Sequence, residues 1–285
     1  MTLVSASAID DPRTELPFVK GLVNYCEDVP RAWYYVGDTS KNYQPLDPRE
    51  VTIKDARPIV DQLDLDQHGF TLRPHHCSVS HLRTPEELDE AYHNELIDVV
   101  KEVTGADRVL PYRRYLQVRL SQRAPGENGD ETTRPAGFVH MDITSETFAN
   151  WARWTQEEEG LPIKPYNRAA LIQTWRAVSG PPQDFSLALT NGRSVKPGKY
   201  VVMDNYTTLE GEGQIVQTRL GVYDPDDDWY YFPNMHADEV LLFKGYDTRW
   251  GDTLNVLHTG FDNTRTYPNA IPRESIEARF IAYWD

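Results

Sequence analysis

From about residue 109 to the C-terminus the chain reads as one short strand-like segment after another, and that succession rules out most folds. The segments are YLQVRL (115–120), GFVHMDIT (137–144), ALIQTWRAV (170–178), FSLAL (185–189) and KYVVMD (199–204). QIVQTRLGVY (214–223), WYYF (229–232), EVLLFKGY (239–246), LNVLHTGF (254–261) and SIEARFIAYW (275–284) follow. Pro, Gly, Asp and Asn clusters such as YDPDDDW (223–229) separate most of them, as turn chemistry requires. Strands do not alternate with helices, so a doubly wound nucleotide-binding sheet is excluded. The expected class is mainly β, a cupin-type jelly roll or double-stranded β-helix with flanking helices. A helix over 145–157, capped by Ser145, interrupts the strands.

The first 108 residues read as an α+β extension packed on that barrel, within one domain spanning 1–285. Their clearest element is a helix near 85–103. Thr84 is placed to cap it, Pro85 takes the first helical position, Glu87 completes a capping box and Gly105 closes it. His93 falls on its polar face, which predicts a solvated side chain.

Composition narrows the function. With 44 acidic against 29 basic residues the net charge is −15, which repels nucleic-acid phosphates and anionic lipid. The segment from Met1 to Pro17 lacks the apolar run of a signal peptide, and nothing in the sequence is long and apolar enough to span a bilayer. Two cysteines, Cys26 and Cys77, make no disulfide framework. A cytoplasmic protein that binds neither nucleic acid nor membrane is expected, with a homodimer as one candidate assembly.

The chemistry is concentrated at a few positions. His140 and Asp142, two apart in an extended segment, project from the same face, and a third ligand from a distant strand would complete a facial triad. His258 is the candidate for that third ligand and His236 its rival. Such a site leaves three positions open on an iron(II) ion. A dicarboxylate cosubstrate needs a guanidinium fork for its distal end. Arg273 offers one, Ser275 a neighbouring hydroxyl, and Arg279 lies further along the same face. Arg273 could instead pair with Glu274 or Glu277. The PHHCSVSH segment (74–81) looks like a zinc cluster but lacks a second paired half. Arg176 inside a strand needs an anion, either a bound ligand or Asp184 or Asp204. Trp229, Tyr230, Tyr231 and Tyr206 are either core or pocket residues.

On these residues the sequence resembles the iron(II)/2-oxoglutarate oxygenases. More narrowly, it is similar to the family containing the cephamycin-pathway 7α-cephem hydroxylase component and fungal hydroxylase/desaturases. RPAGFVHMDIT (134–144), TWRAVSGPPQDFSLAL (174–189), WYYFPNMHADEVLLFKGYDT (229–248) and PRESIEARF (272–280) carry the resemblance, which runs from about Glu50 to the C-terminus. NVLHTGFDN departs from it, since a proline before the histidine and an alanine-like residue after the threonine are expected there. The resemblance implies Fe(II), 2-oxoglutarate and O2 as cofactors, His140, Asp142 and His258 on the metal, and Arg273, Ser275 and Arg279 on the cosubstrate. Arg134, Trp175, Arg176 and Tyr206 are the substrate-binding candidates. The implied reaction is hydroxylation, desaturation or cyclisation of a small molecule, coupled to oxidative decarboxylation of 2-oxoglutarate. A metal-dependent hydrolase or isomerase on the same barrel, or a non-catalytic ligand-binding barrel assisting a partner enzyme, are the alternatives.

Overall fold

The computed structural model describes residues 15–35, 38–78, 85–122, 134–206 and 215–285. Its strands are β1 (Phe18–Cys26), β2 (Ala32–Tyr35), β3 (Leu46–Asp55), β4 (Phe70–Pro74), β5 (Arg108–Leu120) and β6 (His140–Met141). They continue with β7 (Arg168–Ala177), β8 (Phe185–Thr190), β9 (Tyr200–Tyr206), β10 (Ile215–Gly221) and β11 (Trp229–Tyr231). The last three are β12 (Glu239–Asp247), β13 (His258–Asp262) and β14 (Glu274–Trp284). Two helices, α1 (Pro85–Thr104) and α2 (Ser145–Glu158), flank them.

The strands form two curled sheets in the manner of a jelly roll. One has nine strands in the order β1-β3-β11-β8-β13-β6-β10-β9-β2, the other five in the order β4-β12-β7-β14-β5. All pairings are antiparallel except β3 with β11 and β2 with β9. The sheets face each other across an apolar filling. Trp175, Phe70 and Phe243 of the smaller sheet meet Leu189 and Tyr230 of the larger.

Alternation along β14 explains the layering. Ile276, Ala278, Phe280 and Ala282 pack outward with Tyr92, Leu96 and Val100 of α1. The intervening Ser275, Glu277 and Arg279 therefore turn to the interior. The same face of α1 carries His93, which is fully buried with its ring 5.6 Å from that of Phe280. Its expected solvation is corrected accordingly: this side of the helix lies against Phe280 of β14.

The helix ends differ in how well local signals place them. Gly105 stands at φ 64° and donates its N–H to Lys101 O at 2.9 Å, a left-handed C-terminal stop. The proposed Thr84 cap and Glu87 capping box lie outside the described residues. On α2 the cap is Thr144, whose hydroxyl accepts from Thr147 N, one residue ahead of the expected Ser145. Strands β1–β4 of the first hundred residues join both sheets, β1, β2 and β3 in the larger and β4 in the smaller.

Candidate metal centre and its cavities

Three strands bring the histidines and the aspartate together. β6 is only two residues long, far shorter than the segment expected at 137–144, and His140 pairs across to His258 on β13 and to Leu220 on β10. The two imidazoles lie 4.2 Å apart, centre to centre. Asp142 leaves the strand just beyond, with its carboxylate 3.2 Å from His258 Nε2 and 3.9 Å from His140 Nε2. One ligand atom from each residue falls within 4.8 Å of the others, and all three residues are buried. Among the described residues this is the single such cluster. His236 sits in the turn before β12, its backbone N–H on Glu239, and is no part of it.

The hydrogen bonds fix which nitrogens face inward. His140 Nδ1 meets Phe138 O at 2.9 Å and His258 Nδ1 meets Val256 O at 3.3 Å, so each Nδ1–H donates to a carbonyl. Both Nε2 lone pairs are thereby turned toward Asp142. Burial, helped by the neighbouring His258, brings the His140 imidazole down to about 3. Burial would raise the Asp142 carboxyl, but Arg279 and His258 outweigh it and hold it well below the usual carboxylate range. Neutral imidazole and ionised carboxylate are the forms that bind a divalent ion. Two histidines and one carboxylate on a single face are the donor arrangement of non-haem iron(II) sites, and these residues fit that metal.

Asp142 is gripped from behind. Arg279 Nη2 donates to Oδ1 at 2.5 Å, Gln173 Nε2 to Oδ2 at 2.6 Å, and Gln173 Oε1 accepts from Arg279 Nε at 3.2 Å. The Arg279 guanidinium lies 3.5 Å from the centre of the Tyr115 ring. It is thus held on the aspartate, and it also lines the larger cavity beside the triad. Gln173 is a site residue that the sequence does not announce; its only signal is parity with Trp175 on β7.

Arg273 makes no ion pair with Glu274 or Glu277. It is 2 % exposed, its Nη1 donates to Phe185 O at 3.2 Å, and its guanidinium lies over the rings of Trp175 and Phe185. Its Nε and the Oγ of Ser275, two residues along the same face, are buried without a hydrogen-bond partner among the described residues. Burial, with Arg119 nearby, brings the Arg273 guanidinium down to about 9, outweighing the opposing pull of Glu277 and Asp184, neither of which forms an ion pair with it. Gly260 keeps the wall open here: a Cβ on it would stand 2.3 Å from the Phe185 ring. Arg273 lines a narrow cleft with Trp175, Glu277 and Arg119, and the cleft reaches His140 and His258.

A second cavity, of about 380 Å3, opens on His140 and Asp142 and includes Arg134 in its wall. The other two substrate-binding candidates are corrected by strand alternation. Arg176 follows Trp175 and must point the opposite way, toward α1. There it donates to the carbonyls of His75 and Ala237 and meets the Tyr92 hydroxyl at 3.4 Å, with neither Asp184 nor Asp204 as partner. Tyr206 likewise turns away from the cavity that Asn205 lines, and stacks on Tyr35 at 4.3 Å. Trp229, Tyr230 and Tyr231 are core. In the 74–81 segment His75 contacts Arg176 and Glu95; His81 lies outside the described residues.

The chain resembles known proteins over most of its length. A family model described as Oxidoreductase/YMDC permease-like domain matches residues 23–283. The hydroxylase/desaturase efuI of Hormonema carpetanum is 30% identical over 268 residues, covering 88% of each chain. The Fe(II)/2-oxoglutarate-dependent dioxygenase nvfI of Aspergillus novofumigatus is 27% identical over 252 residues and 87% of each chain. The solved structure of the iron and alpha-ketoglutarate-dependent endoperoxidase NvfI superposes with a TM-score of 0.79 at 24% identity, covering 94% of this chain and 98% of that one, and shows the same fold. No helix among the described residues is long and apolar enough to cross a membrane. Matched over nearly its whole length by the family model and by efuI, this chain belongs to the Fe(II)/2-oxoglutarate-dependent oxygenase family that includes these fungal hydroxylase/desaturases.

Proposed function

We propose that His140, Asp142 and His258 hold iron(II), that Arg273 and Ser275 bind the distal carboxylate of 2-oxoglutarate, and that a small molecule is oxidised in the 380 Å3 cavity. The observation that carries this is Arg273, which lines a cleft reaching His140 and His258 and whose buried Nε, like the Oγ of Ser275 two residues along, has no hydrogen-bond partner among the described residues. A buried guanidinium without an anion is costly, and a carboxylate is the ligand that offsets that cost. With O2, iron(II) and 2-oxoglutarate supply oxidative decarboxylation of the cosubstrate and removal of hydrogen from the substrate.

The chain's own part is positioning. The carbonyls of Phe138 and Val256 orient the imidazoles, and Arg279 with Gln173 fixes the carboxylate. The cleft has room for about 20 Å3, the space of a water. Cosubstrate entry therefore displaces side chains of its wall, among them Glu277 and Arg119, which line the cleft 3.9 Å apart. Hydroxylation, desaturation or ring closure then depends on how the substrate's carbon is held against the triad. Free Cys26 and Cys77 are compatible with a reducing cytoplasm as the setting.

The test is anaerobic: iron(II) and then 2-oxoglutarate are added to purified protein, and the weak visible charge-transfer absorption of the chelated cosubstrate is sought. It is expected in the wild type and absent in His258→Ala. Folded, iron-loaded wild type without that band refutes the assignment.

A further inference from the structure

The large cavity is a local inversion of the protein's charge. The chain carries 44 acidic and 29 basic residues, yet four arginines line this cavity, with Asp142 as the one acidic side chain among its described lining residues. Three of the four are engaged elsewhere. Arg279 is bound to Asp142, Arg114 to Glu158, and Arg119 leans toward Glu277 and donates to the carbonyl of Arg134. The exposed side chain of Arg134 has no ion pair among the described residues, and it sits where the cavity meets solvent.

Beyond these charges the wall is mainly aromatic and apolar, with Gln117, Asn205 and Thr218 as polar members. Tyr112 and Trp151 stack at 4.2 Å with 16° between their planes, and the Phe138 ring lies 4.9 Å from that of His140. Trp151 is 2 % exposed and its Nε1–H has no acceptor among the described residues, although buried indole N–H groups ordinarily find one. The volume lies within the range of small-ligand sites, roughly 300–1,000 Å3. An aromatic wall and an unpaired guanidinium at the mouth call for rings and an anion.

We propose that the substrate is a ring-bearing, mainly apolar molecule with one anionic oxygen group, its rings on the Tyr112–Trp151 and Phe138 side and its anion at Arg134. This rests on the reading of the triad as the oxidising centre, because it takes the cavity in front of the triad as the substrate site. Arg134 thereby selects which molecules enter and which way round they lie, leaving the uncharged end nearest His140 and Asp142.

The test measures binding, without turnover. Fluorescence anisotropy of 1-pyrenebutyrate and of its methyl ester is titrated with the full chain carrying iron(II) and 2-oxoglutarate under nitrogen; loading is checked separately by the absorption band. The acid binds about tenfold tighter than the ester, the lower end for a charge-assisted contact at a solvent-facing site. Arg134→Gln brings that ratio close to one and leaves the ester unchanged, whereas Phe138→Ala weakens acid and ester alike, by about fivefold. Equal binding of acid and ester by the wild type, an undiminished ratio in Arg134→Gln, or no binding of either probe to loaded protein overturns the proposal. Absence of the absorption band, by contrast, is the failure of the oxygenase reading itself.

Discussion

Replacing Arg273 by methionine is expected to make the protein without cosubstrate more stable while abolishing its response to 2-oxoglutarate. The guanidinium is 2 % exposed, has one hydrogen bond to a carbonyl and no carboxylate within ion-pair distance among the described residues, and burial brings it down to about 9. At about 1.4 kcal/mol per tenfold change in acidity, that displacement costs the fold no more than roughly 5 kcal/mol. A base whose folded value is lowered carries this cost at every pH below that value, so it is present throughout the neutral range. Methionine fills similar volume without charge and gives up the stacking on Trp175 and Phe185 and the Phe185 O contact, about 2 kcal/mol together. The net gain is then about 1–3 kcal/mol, or roughly 2–6 °C in Tm for a chain of this size. The wild type, by contrast, gains about 2.7 kcal/mol from 2-oxoglutarate at a hundred times its Kd, and the variant gains none. Thermal denaturation under nitrogen with iron(II), with and without 2-oxoglutarate, reads both effects. A variant that melts earlier than wild type yet still shifts with 2-oxoglutarate would mean that Arg273 is a structural residue, and the anchor argument fails.

Other consequences are simpler. Arg279→Lys keeps the charge but loses the fork on Asp142 and Gln173, and should weaken metal binding about tenfold by calorimetric titration; unchanged affinity would show that Asp142 is held without it. Arg176→Ala should cost about 3 kcal/mol in urea denaturation, because the carbonyls of His75 and Ala237 lose their donor, with metal and cosubstrate affinities intact. Reduced 2-oxoglutarate affinity in that variant would return Arg176 to the site. Asp227→Asn bears on pH: burial raises this carboxyl to about 6 despite the Tyr25 hydroxyl that donates to it at 2.8 Å. A folded value above the unfolded one means stability falls as pH rises through 6, so the asparagine variant should be more stable by about 1 kcal/mol at pH 8, after allowance for partial solvent exposure, and no more stable at pH 4. Equal melting differences at the two pH values would contradict the assignment.

What is legible in the sequence, and what is not, turns largely on the two-residue period of a strand. Alternation on PRESIEARF puts Arg273, Ser275, Glu277 and Arg279 on one face, and β14 keeps them there, opposite the apolar set under α1. The same rule, applied to TWRAV, forbids Trp175 and Arg176 from lining one pocket together, so they could not both be substrate residues. Tyr206 fails for the same reason beside Asn205. Strands β1–β4 are harder to read, since β1 and β2 are sheet edges, β1 exposes Phe18 and Leu22 where an apolar residue would signal burial, and β3 carries Pro48 among exposed charges. The clamp on Asp142 has no signature in spacing at all, because Arg279 and Gln173 lie 137 and 31 residues from it. Charge, however, supplies a reason for the clamp. β14 turns two guanidiniums and a carboxylate into an interior that tolerates none of them alone. Asp142 balances Arg279, Glu277 lies 3.4 Å from Arg279 and 3.9 Å from Arg119, and among these described residues Arg273 alone has no carboxylate within ion-pair distance, only the weaker pull of Glu277 and Asp184. The proposed anchoring of a diacid follows from this imbalance: a carboxylate beside Arg273 would offset the one buried guanidinium that the surrounding side chains leave uncompensated, next to a triad whose ligand atoms are in their metal-binding forms.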